Sequence, residues 1–205
     1  MADNADWLVP PAREPHSADD PFIGMDATAK DFWRFAMGDL RMNNARGYLA
    51  EFIVSKALGL SDVRRTEWDA YDLLWNDISI EVKSSAYLQL WEQRKLSTIT
   101  FSGLKGLRWF PRRGDDPEGQ RYNAMVYVFC VQNSQKHEEY DPMNLGQWAF
   151  YVVPRSVLAE LGQTTIGINS VKRLAGSETP FAELADAVSR ASVGQHLDGD
   201  AITWG

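Results

Sequence analysis

Cysteine is almost missing from this chain, and that scarcity excludes whole classes of protein. The 205 residues contain one, Cys130. No disulfide can close within the chain, and no cysteine-rich zinc ribbon can form. Cys130 lies in the apolar run 125–131 (MVYVFCV), where a thiol acts as a small buried hydrophobe. Histidine is scarce as well. His16, His137 and His196 are far apart and show no metal-ligand spacing. No apolar run reaches the roughly 18 residues that would span a membrane, and no signal-peptide pattern is visible. The expectation is a cytoplasmic protein with no membrane partner. A Gly-x-Ser-x-Gly elbow, a GxxxxGK[S/T] phosphate loop and the Rossmann glycines are all lacking. Gly103-Leu104-Lys105-Gly106 has the spacing of an RNA-binding GxxG clamp, but no helical pattern flanks it.

What the chain does hold is apolar and aromatic: 44% hydrophobic residues, with eight Trp, enough for a real core. The length fits one domain, residues 26–193, behind an extended or disordered arm (1–25, rich in Pro, Asp and Ala) and before a frayed tail (194–205). Net charge is −7, which argues against a general nucleic-acid binder. The sign is uneven, however. Residues 94–121 carry seven basic side chains against three acidic ones. Lys105, Arg108, Arg112 and Arg113 within the glycine-containing loop or lid 103–121 are therefore candidates for phosphate contact. The plainer alternative is a solvated loop.

Asp26 can cap a helix through about residue 40, and Asn43 or Asn44 a second through about residue 58, ended by Gly59. In the second helix Glu51 sits amid Leu49, Ala50, Phe52, Ile53 and Val54. A half-buried carboxylate there needs a partner, whether a distant arginine, a backbone donor or a metal. Residues 68–85 (WDAYDLLWNDISIEVKSS) read as a hairpin about Asn76-Asp77. A symmetric turn pairs Trp75 with Ile78, Leu73 with Ile80 and Tyr71 with Val82, giving one apolar face. On the other face Asp72 falls opposite Glu81, with Lys83 diagonal to it. Opposed like charges destabilise a strand pair, and a divalent ion between them turns that penalty into a site. A solvated strand face with a weak ion pair is the plainer alternative. Further strands are expected at 97–102, 124–131, 148–153 and 164–170, a short helix from Pro154, and a last helix from Ser177 to about residue 191. Residues 87–94 are ambiguous between helix and strand.

A helical Glu51, then Asp72, then Glu81-Val82-Lys83 on paired strands resembles the PD-(D/E)XK nuclease superfamily, over about residues 44–132. Tyr71 rather than Pro precedes Asp72, a position where the family is loose. The recombination-exonuclease subset with Gln-xxx-Tyr after the lysine is not supported, because Gln89 is followed by Leu90 to Gln93. The resemblance implies an α/β fold with a restriction-endonuclease-like α-β-β-β-α-β core, a mixed central sheet flanked by helices. It implies hydrolysis of phosphodiester bonds with Mg²⁺, Mn²⁺ substituting, on DNA more than RNA, and endonucleolytically. Asp72, Glu81 and the Val82 carbonyl would hold the ion, Lys83 would orient water or stabilise transition-state charge, and Glu51 would complete the catalytic set. Ser85 and Gln89 are accessory candidates. A non-catalytic nucleic-acid-binding or protein-interaction module on the same fold is the alternative. Pairing of two chains as a homodimer to cut both strands is left open.

Overall fold

The structure, a computed structural model, describes residues 11, 13–61, 70–110 and 114–196. The chain divides into two compact units, Met1–Asp39 and Leu40–Gly205. The division falls after Asp39, so the first helix belongs to the N-terminal unit. That helix, α1 (Ala29–Met37), begins at Thr28 rather than Asp26. The Asp31 carboxylate accepts from the Thr28 N–H (2.8 Å) and its hydroxyl (2.7 Å), which satisfies the helix start locally.

The second unit opens with α2 (Asn43–Ala57), whose buried positions include Ala50, Ile53 and Val54. Strands β1 (Leu73–Trp75) and β2 (Ile78–Ala86) follow as an antiparallel hairpin. Its register is the expected one, Leu73 with Ile80 and Trp75 with Ile78. Asn76 and Asp77 both take positive φ (48° and 63°), as a two-residue type I′ turn requires. Short strands β3 (Thr100–Phe101), β4 (Trp109–Phe110) and β5 (Gly114–Asp115) come next. Then come the fully buried β6 (Val126–Gln132) and β7 (Trp148–Pro154), helix α3 (Arg155–Leu161), β8 (Ile166–Gly167), α4 (Ile168–Ala175) and α5 (Leu184–Ser192).

The architecture is mixed α/β. A four-stranded sheet runs β1-β2-β6-β7, with β2 parallel to β6 and the other two pairs antiparallel. Side chains alternate across it into two cores. Ile80, Val82, Val126, Val128, Phe150 and Val152 pack with Ile53 and Val54 of α2 and Leu184 and Val188 of α5. Tyr127, Phe129, Tyr151 and Val153 pack on the other side with Phe101, Leu104, Leu158, Ile166 and Val171.

Three expectations are corrected. The third strand of the expected core, 97–102, shrinks to β3, which leaves the central sheet and pairs with β8. Among the described residues no helix stands between β3 and β6; the crossover between the two parallel strands is built from loops and the β4–β5 hairpin instead. Residues 164–170 yield two strand residues and then helix α4, because Ile168, Val171 and Leu174 recur at helical spacing and face the second core.

Candidate active site

The site begins where the hairpin ladder stops. Asp72 lies one residue before β1, and its N–H donates to the Ile80 carbonyl at 3.0 Å. Its Oδ2 accepts the Val82 N–H at 2.7 Å, so a side chain takes the place of the next main-chain acceptor. The chain departs from the strand here. Tyr71, expected beside Val82 on the first core, packs in the second. Strict alternation fails at Tyr71 because the Asp72 carboxylate, not the Tyr71 carbonyl, caps the strand edge.

Glu81 and Lys83 project from the same face of β2, and Lys83 Nζ meets Glu81 Oε1 at 2.6 Å. Neither is a solvated surface charge: their side chains keep 17% and 21% exposure. Burial first, and then the Asp72 carboxylate, push the Glu81 carboxyl up to about 7; the Lys83 ammonium opposes them, and the Glu51 carboxylate adds a smaller push. Asp72 and, more weakly, Glu51 thus both act on Glu81 in the same direction. Glu51 is half-buried on α2, which packs against β2. A strand residue directs its N–H and C=O to the same side. The Val82 carbonyl therefore faces the edge occupied by Asp72, while its side chain is buried in the first core. Ser85 follows Glu81 and Lys83 on the same face by alternation and is half-buried.

The wall beside Lys83 is the turn after β3. Gly103 has φ +65°, and a Cβ placed on it would stand 3.7 Å from Lys83 Nζ. The turn is anchored on both sides: Tyr127 donates to the Leu104 carbonyl at 3.0 Å, and the Leu104 N–H donates to Thr164 O at 3.1 Å. Gly103 therefore borders Lys83, and the Gly103–Gly106 stretch has β3, not a helix, before it. Nothing in the local sequence pattern marked Gly103 as a neighbour of Lys83, because the approach is made by the fold and not by spacing.

The basic segment is placed differently from the expectation. Arg108 is buried at 4% exposure, and its Nε donates to Asn123 Oδ1 at 3.0 Å. It braces the base of the β4–β5 hairpin and, as placed, presents no charge to a phosphate. Arg121 is held by Asp116 and by Glu118 (2.9 Å). Lys105 Nζ donates to the Gly162 carbonyl at 2.9 Å and lies 5.2 Å over the Tyr122 ring. Arg112 and Arg113 lie outside the described residues. Gln89 is buried and braces the loop after β2, its amide donating to Ala86 O (3.1 Å) and Ser97 Oγ (3.2 Å). Cys130 is fully buried, and burial pushes its thiol far up, which leaves it inert.

Among the described residues no three His, Cys, Asp or Glu side chains are grouped to hold a metal by themselves, and no helix is long and apolar enough to cross a membrane. Two carboxylates and a main-chain carbonyl are nevertheless the hard oxygen donors that Mg²⁺ takes when water and phosphate oxygens complete its shell. No family model, curated protein or solved structure matches this chain.

Proposed function

We infer that this protein is a metal-dependent nuclease of the restriction-endonuclease-like kind, hydrolysing phosphodiester bonds in DNA. The reading rests on one observation above all. Asp72, Glu81 and Lys83 stand together at the end of the hairpin ladder, dehydrated enough that Glu81 is pushed up to about 7. An ordinary strand-face ion pair would be solvated and nearly unperturbed. The α2-β1-β2 order with Glu51 on the helix supports the same reading. The loop-built crossover to β6 is the departure from the family's core.

Asp72, Glu81 and the Val82 carbonyl would hold Mg²⁺ or Mn²⁺. When bound, the ion supplies Lewis-acid polarisation of the phosphoryl group and a water of lowered pKa. The protein's own part is positional. Glu81 aims the Lys83 ammonium, which donates to the phosphoryl oxygen where negative charge grows. Glu51 orients a water at the same place. The attacking water gives up one proton to solvent as its oxygen bonds to phosphorus, the ester P–O bond breaks, and the leaving oxygen takes one proton from solvent, so that one water is consumed and no net proton is gained or lost by the protein.

The test is incubation of wild type and Lys83→Ala with linear, circular and branched DNA plus Mg²⁺ or Mn²⁺. Wild type should cut circular DNA, and Lys83→Ala should lose cleavage while its DNA affinity stays within about threefold, because the lost interaction belongs to the transition state. Failure of wild type to cut any of these DNAs with either metal refutes the reading.

A further inference from the structure

Directly after β2 the chain enters a loop, residues 87–97, that is far more ordered internally than its lack of regular structure suggests. The Ser97 N–H donates to Tyr87 O at 2.9 Å and closes the base. Two glutamines cross-brace the interior. Gln93 Oε1 accepts the Gln89 N–H at 2.7 Å, and Gln93 Nε2 donates to Tyr87 O (3.3 Å) and Ser97 Oγ (3.0 Å). Gln89 Nε2 donates to Ala86 O and to the same Ser97 hydroxyl.

This pedestal holds large apolar side chains out in water. Leu90 is 45% and Trp91 58% exposed. The charged residues beside them, Glu92, Arg94 and Lys95, are all exposed, and the cations outnumber the acid. An exposed indole whose charged sequence neighbours are mostly cationic is what a nucleic-acid strand meets favourably. The base stacks on the ring and the phosphates meet the cations. Position supports that occupant. Tyr87, where the loop begins, is four residue steps beyond Lys83 along extended chain, about 13 Å at 3.3 Å per residue, a few nucleotides along a strand. The basic segment 103–121 does not supply these contacts from its described residues, since Arg108, Arg121 and Lys105 are engaged within the fold.

We propose that the 87–97 loop is a base-stacking platform on which Trp91 receives an unpaired nucleobase, with Arg94 and Lys95 contacting the flanking phosphates. The proposal rests on the nuclease reading and adds to it a preference, among the DNAs it cuts, for those with single-stranded character, such as an end, flap or branch.

The test uses the full chain in chelator, where no cleavage intervenes. Affinity is measured by fluorescence anisotropy for a labelled single strand of about 16 nucleotides and for the same sequence closed into a duplex. Trp91→Ala should bind the single strand roughly 5- to 150-fold more weakly, the range expected for loss of one stacked base. It should bind the duplex within about twofold of wild type, and Trp91→Phe should restore most of the single-strand affinity. Arg94→Gln with Lys95→Gln should make the salt dependence of binding shallower. If wild type binds and Trp91→Ala binds the single strand equally well, the platform is refuted, while metal-dependent cleavage lost in Lys83→Ala would still uphold the nuclease reading. If wild type binds no DNA at any salt concentration and cuts none with metal, both fail. If Trp91→Ala instead abolishes self-association in sedimentation and leaves DNA affinity untouched, the loop is a protein contact and the proposal is overturned.

Discussion

Glu81 carries the sharpest consequence for a single residue. Its carboxyl titrates near 7 in the folded chain against 4.5 as its ordinary value. Between those values the folded state holds a proton that the unfolded state has released. Stability in chelator should therefore fall as pH rises from about 4.5 to about 7 and stay low above that, by on the order of 3 kcal/mol from this group. Glu81→Gln should flatten the slope and be the more stable protein at pH 8. Urea unfolding of both proteins between pH 5 and 8 measures this; parallel profiles would show that Glu81 is not dehydrated. The residue itself was legible in the sequence, because Glu81-Val82-Lys83 alternates on a strand and Asp72 precedes a turn of known register. The burial of Arg108 was not legible, for the converse reason. Its charge is visible in the sequence, but its partner Asn123 lies in a distant segment.

The hairpin shows what period-two reasoning can and cannot reach at the level of an element. The pairs Leu73–Ile80 and Trp75–Ile78 follow from alternation and the Asn76-Asp77 turn alone. The break at Tyr71 does not, because it depends on a side chain entering the hydrogen-bond plane. That substitution of side chain for ladder makes a prediction about shape as against charge. Asp72→Asn keeps an oxygen for the Val82 N–H and removes a repelling charge, so in chelator it should melt at or above wild type. Asp72→Ala leaves that N–H without its acceptor and should be less stable than Asp72→Asn by about 1–2 kcal/mol. Thermal melts of the three proteins decide it. In the β4–β5 hairpin, Arg108→Ala should lower the urea midpoint by an amount worth about 2 kcal/mol, with no change in the salt dependence of DNA affinity. A shallower dependence would return Arg108 to the phosphate contacts. Residues 87–94 were ambiguous in the sequence because glutamine pairs that fold back on main-chain atoms leave no periodicity to read.

For the whole molecule, the class was legible and the crossover was not. The continuous apolar run at 124–131 announces a strand covered on both faces, as β6 is, and 148–153 a further strand, β7. Which elements cover the second face (α3, α4, β3 and β8) is a matter of long-range packing. A cation at the carboxylates should stabilise the entire cooperative unit. The gain is about 1.4 kcal/mol at ten times Kd and about 2.7 at a hundredfold, a few degrees in Tm. Differential scanning fluorimetry with Mn²⁺ should show wild type gaining and Asp72→Asn gaining much less, whereas equal shifts would locate the ion elsewhere. The sheet's connectivity also bears on the order in which the protein assembles. Asp72 and Glu81 belong to one hairpin closed by a two-residue turn, which can form in microseconds. Glu81 is dehydrated only when β2 pairs with β6, far along the chain, where it stands beside Tyr127. The two carboxylates thus approach while water still screens them, and their repulsion is felt in full only as the slow, nonlocal pairing closes. A charge-removing change such as Glu81→Gln should then act mainly on the late steps. In a chevron measured above pH 7 it should slow unfolding more than it speeds refolding.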